Sequence, residues 1–256
     1  MNDMIQICSN EQWDVLNWRF TVFFDNVHNP FLGDEEFLRF FGREHVEKSE
    51  NRSDSTSSFS LSDGVSRSEM TINPGKIDFI ISAALSFNPS SEKALTISEI
   101  RNGSAIFEAF QTSALNLVHG RSGISRIGIG AEHVFLVKCH EEAYSVLNEK
   151  MSSVQLDGAR SSDFLYQINR WRNFEIGNNQ LRINRLSKFA CRKLGVAIES
   201  KSGEKSELEV YFASVSSDVN TDFRFDLEVL NPAERLEITR NLFEYSMEIG
   251  LKGETP

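Results

Sequence analysis

Residues 125–150, SRIGIGAEHVFLVKCHEEAYSVLNEK, read as a buried strand that turns directly into an amphipathic helix. Side chains alternate faces along an extended strand. That alternation sets Ile127, Ile129, Ala131, His133, Phe135 and Val137 against Gly128, Gly130, Glu132, Val134 and Leu136. Both faces become apolar towards the end, as in a central strand covered on at least one side. His140 stands where a helix cap is expected, with Glu141 and Glu142 in the first turn and Lys150 near the last. Those charges complement the helix macrodipole. Ala143, Val146, Leu147 and Met151 then form the buried stripe. This junction of a buried strand with an amphipathic helix is an architectural signal, around which the α+β reading of the chain is organised.

With 256 residues, 40% of them apolar, and 20 Phe, the chain can bury a core without disulfide or metal staples. Its formal charge of -10 argues against a protein that coats nucleic acid, because phosphate binding needs clustered Lys and Arg. Cys8, Cys139 and Cys191 are odd in number and far apart, which fits a reducing cytoplasm. The opening MNDMIQICSNEQWD lacks a basic region followed by an apolar run, and no stretch has the roughly 18 apolar residues of a membrane helix. The expectation is a cytoplasmic protein that does not enter a membrane.

Taken in order, residues 1–46 form an aromatic segment that packs on the first subdomain. In it Trp18, Phe20, Val22 and Phe24 alternate as a strand, and Phe37, Phe40 and Phe41 follow an Asp34 cap at helical spacing, closed by Gly42. Residues 47–70 turn to Ser, Asp, Asn and Arg and read as a mobile linker or surface loop. Residues 71–156 read as strand, helix, strand, helix, with Ser104 capping a helix whose apolar face is Ile106, Phe107, Phe110, Ala114, Leu117 and Val118. Residues 157–256 form a strand-rich subdomain. A turn at Gly177, Asn178 and Asn179 leads to Leu181 and Ile183. A second hairpin turns at Ser202 and Gly203, and Phe223, Phe225, Leu227 and Val229 alternate as a further strand. Asn231, Pro232 and Glu234 open the last helix with a capping box, and Gly250 ends it. The predicted architecture is antiparallel sheets backed by amphipathic helices, divided between two subdomains.

The chemistry is sparse. His133, Cys139 and His140 resemble metal ligands by type, yet six extended residues separate His133 from Cys139 by roughly 20 Å, and one ion cannot collect them. Glu199-Ser200-Lys201 has the Glu-x-Lys form found at metal-dependent nuclease sites, which also require an acidic partner at a neighbouring strand end. Glu175 and Asp163 are the available acids. Asp226 and Glu228 share one predicted strand face about 7 Å apart, a spacing that suits paired carboxylates and equally a solvated face beside Arg224. Phosphate-binding glycine loops, Cys-x-x-Cys pairs and nucleophile elbows are absent from the sequence, and no cofactor is implied.

The segment 160–193 is basic against the trend of both flanks, with Arg160, Arg170, Arg172, Arg182, Arg185, Lys188, Arg192 and Lys193 among Tyr166, Trp171, Phe174 and Phe189. Arg170, Trp171, Arg172, Arg182, Arg185 and Lys188 are the candidate binding residues. The mixture suits phosphate contact with base stacking, an acidic protein partner, or internal salt bridges to the acidic remainder of the chain.

The run Ser125-Arg126-Ile127-Gly128-Ile129, the later Asp163-Phe164, and Asp226-Leu227-Glu228-Val229 ahead of a last helix together resemble a sporadically distributed family of prokaryotic proteins of about this length. The resemblance spans roughly residues 72–249, and the family's Arg-Ile-Gly signature carries no catalytic role. It implies a place in horizontally transferred gene clusters, antiviral defence systems included. The expected function is a non-enzymatic binding or scaffold subunit of a bacterial multi-protein system with a protein partner. The alternatives are a nuclease using Glu175, Glu199 and Lys201, or a nucleic-acid-binding module using the basic hairpin.

Overall fold

Strand β1 (Asp14–Phe24) sets the two sides of the molecule, because Trp18, Phe20 and Val22 are fully buried on one face while Asn17 and Arg19 lie on the other. The computed structural model describes residues 13–25, 33–87, 95–199 and 205–254. β1 pairs antiparallel with β5 (Lys76–Ala83), Phe20 opposite Phe79, and with β8 (Ile124–Val137), Phe20 opposite Ile129. Outward from β5 come β4 (Ser66–Asn73), β3 (Thr56–Ser62) and β2 (Glu47–Asn51). Beyond β8 come β12 (Lys205–Thr221) and β11 (Asn179–Glu199), whose outer edge is shared by β9 (Leu165–Asn169) and β10 (Arg172–Ile176). The result is one ten-stranded antiparallel sheet that runs through all the predicted segments and through both predicted subdomains.

Helices α1 (Gly33–Phe41), α2 (Ala105–Gly120), α3 (His140–Asn148) and α4 (Pro232–Lys252) pack on the Trp18 face. Trp18 meets Phe107 of α2 and Phe243 of α4, and its indole N–H donates to the Ile100 carbonyl at 2.9 Å. Phe40 of α1 stacks on Phe79 at 3.9 Å between centroids. The helix starts form where the sequence places them. Ser104 accepts from the Phe107 amide, and Asn231 and Glu234 close a full capping box, which satisfies donors the helix cannot bond itself. Towards one end of the opposite face, a hairpin of β6 (Leu85–Phe87) and β7 (Leu95–Ile97) lays Leu95 against Val134, Leu136, Val210 and Phe212.

Four readings of local structure are corrected. The Ser-rich segment 47–70 is not a loop: β2, β3 and the start of β4 occupy it, because Phe59 and Met70 form a cross-strand pair in the core, Leu61 packs beside them, Ser60 and Ser66 are buried, and β2 at the edge faces water. Residues 223–229 do not form a strand. Asp222 captures the Arg224 amide at 3.0 Å and Asp226 the Glu228 amide at 2.8 Å, so local turns and a 3-10 helix (Leu227–Val229) replace the ladder. The α3 cap position is Cys139, with no side-chain cap bond, and His140 is the first helical residue. Gly250 does not end α4. It lies inside the last turns because its missing side chain admits the His133 ring, and Gly253, at φ 76°, provides the stop.

Candidate functional site: the uncovered face of the sheet

Since the helices occupy one side, the alternate residues of the central strands are left to form the other. β1 contributes Asn17 and Arg19, β8 Gly130 and Glu132, β12 Ser214, Ser216 and Asp218, and β11 Leu186, Lys188 and Arg192. A cleft of about 410 Å³ opens on this face, lined among others by Arg19, Gly130, Glu132, Gln167, Lys188 and Asp218.

Its floor explains one glycine of the Gly128-x-Gly130 pattern. A Cβ on Gly130 would stand 3.3 Å from the Arg19 guanidinium and 3.2 Å from the Ser217 carbonyl, so the bare backbone lets Arg19 cross the sheet to reach Asp218 at 2.9 Å. Glu132 is buried and well held: Ser214 Oγ donates to it at 2.9 Å, Asn17 Nδ2 at 3.2 Å, and Arg192 Nε lies 3.0 Å away. Lys188 sits half-buried opposite Ser216 and Gln167, with no ion pair or hydrogen bond among the described residues.

The six candidate binding residues divide between the two faces. Arg172 and Arg185 turn towards α4 and share Glu248, at 3.0 and 2.9 Å, each also lying 5.3 Å over the Tyr245 ring. Arg185 is 1% exposed and so belongs to the interior. Arg170 pairs with Glu254, a carboxylate that also accepts from the Ser153 amide at 3.0 Å and the Ser153 hydroxyl at 2.7 Å. Burial pushes the Glu254 carboxyl up, but the Ser153 and Arg170 hydrogen bonds outweigh it and hold the group at about 2. Arg182 and Lys188 lie on the uncovered face, and Arg182 stacks at 4.6 Å on Trp171, which is 52% exposed.

The suspected chemical centres do not assemble. Glu175 pairs with Gln180 at one end of β11, and Glu199 ends that strand paired with Lys205. The 19 residue steps from Gln180 to Glu199 correspond to roughly 60 Å of extended chain, too far to share one ion. Lys201 lies outside the described residues. Asp226 caps the Glu228 amide, while Glu228 accepts from the Gly123 amide at 2.5 Å and faces Arg235 at 3.7 Å. His133 is buried between Trp18 and Gly250, and no group of three metal-ligating side chains exists among the described residues. Cys139 and Cys191 are free. Motif reasoning does not find Arg19, Glu132, Gln167 and Asp218; their signal is the polar alternation of β1, β8, β9 and β12, which means little until the strands are paired.

These features define an α+β protein with a one-sided helical layer and a polar cleft on its bare sheet face. No family model, curated protein or solved structure matches the chain. No helix among the described residues is long and apolar enough to cross a membrane.

Proposed function

We propose that the protein is a non-enzymatic binding or scaffold subunit that receives a protein partner on the uncovered face of its sheet. The observation that carries this reading is the one-sided helical layer, which leaves, beside the β6–β7 hairpin, a broad polar surface that no helix among the described residues covers. Nine strands abreast span roughly 40 Å, enough for the roughly 800 Å² that one partner buries in a standard interface. Along that surface the carboxylates of the cleft already have partners, an arrangement suited to recognition by shape and charge. Membership of a bacterial multi-protein system, antiviral defence among the candidates, rests on the family resemblance alone.

Co-purification of the tagged protein from its native host, followed by measurement of the recovered partner's affinity for surface variants, tests the docking face. Trp171 and Arg182 give the nucleic-acid reading its one specific support, an exposed indole backed by a guanidinium. Incubation with single-stranded DNA and RNA in Mg²⁺ or Mn²⁺ separates the alternatives. Binding without cleavage would favour that module, and cleavage abolished by Glu199→Ala would overturn the non-enzymatic reading.

A further inference from the structure

The charge balance of the cleft goes one step further, resting on the uncovered face as the docking surface. Two ion pairs in and beside the cleft are internally complete, Arg19 with Asp218 and Arg192 with Glu132. Lys188 is left over, the charged residue of the cleft lining that has no ionic partner among the described residues. Its ammonium, at the solvent side of an open cleft, is therefore available to an anion presented from outside. Beside it stand the neutral hydrogen-bonding groups of Gln167 and Ser216, with Ile80 and Leu186 as apolar wall. The cleft is open to solvent at the sheet surface, which suits a side chain presented from outside more than an enclosed metabolite.

We infer that this cleft anchors a carboxylate side chain of an acidic segment on the partner, with Lys188 as its counter-ion. Arg19, lying across Gly130, forms the positive side wall, and its pairing with Asp218 keeps it fixed. The two complete ion pairs admit no second anion, so recognition selects a spaced carboxylate over a dense polyanion.

The test uses the full chain and a fluorescent peptide of alternating Glu and Ser, with a Gln/Ser peptide and a single-stranded oligonucleotide as controls, read by anisotropy. The Glu peptide is expected to bind at least about 10-fold more tightly than either control, and Lys188→Met to weaken it by a similar factor while Lys188→Arg largely retains it. Ser216→Asp is the decisive variant. Ser216 lies between Lys188 on β11 and Glu132 on β8, so the new carboxylate supplies Lys188 with an internal counter-ion while also facing Glu132. It should abolish peptide binding while the variant keeps the wild-type far-UV circular dichroism, which an unfolded variant cannot do. Wild-type binding by a folded Ser216→Asp or Lys188→Met protein would overturn the anchor, as would tighter binding of the oligonucleotide. Native-partner capture that survives Ser216→Asp but fails with other uncovered-face substitutions would sink the anchor alone. Capture lost only through helix-face substitutions would sink the docking face itself.

Discussion

His133 shows how a residue that resembles a ligand in the sequence becomes a structural constraint in the fold. Its ring lies edge-on to Trp18 under Gly250, and its Nδ1 has no hydrogen-bond partner among the described residues. Burial, with a smaller push from Lys150, lowers its pKa from 6.5 to about 4. The unfolded chain therefore binds a proton more readily than the folded one, so the neutral ring's contribution is full above about pH 6.5 and is lost as pH falls towards 4. Integrated between pH 7 and 5, this amounts to about 2 kcal/mol. Denaturant titrations at those two pH values should show that loss in the wild type, reduced by about that amount in His133→Phe. An equal loss in both proteins would mean that the acid sensitivity lies elsewhere.

At the scale of elements, the strands and helices with strong periodicity were legible: β1, β5, β8, α2 and α4 stand close to where alternation, apolar stripes and capping residues put them. Two segments were not, for opposite reasons. β3 and β4 carry too few inward apolar residues to register as strands, whereas 223–229 alternates like one but has aspartates that capture its own backbone. Trypsin should consequently spare Arg67 in β4 and Arg126 in β8, and rapid cleavage after Arg67 would contradict the β2–β4 part of the sheet. The basic hairpin was only half legible, because register decides which arginines face α4 and sequence alone does not supply it. Reversing charge at Arg170 and Arg172 together should lower the melting temperature by several degrees, since both substitutions set carboxylates against the ionic partners Glu254 and Glu248. Unchanged melting would return these two arginines to the surface.

For the whole molecule, the governing fact is asymmetry: a ten-stranded sheet with helices on one side, and on the other a polar cleft beside the two-stranded β6–β7 hairpin. The cleft residues come from β1, β5, β8, β9, β11 and β12, strands far apart in sequence, so the site exists only once the sheet closes. That also explains why spacing-based motifs could name Lys188 but not its setting. The most direct test is the partner's affinity for matched charge reversals on the two sides: Lys188→Glu and Arg182→Glu on the bare face, and Arg240→Glu on the exposed side of α4. The account predicts at least about 10-fold weaker binding for the first two and little change for the third; the reverse order, with all three proteins folded, would contradict it.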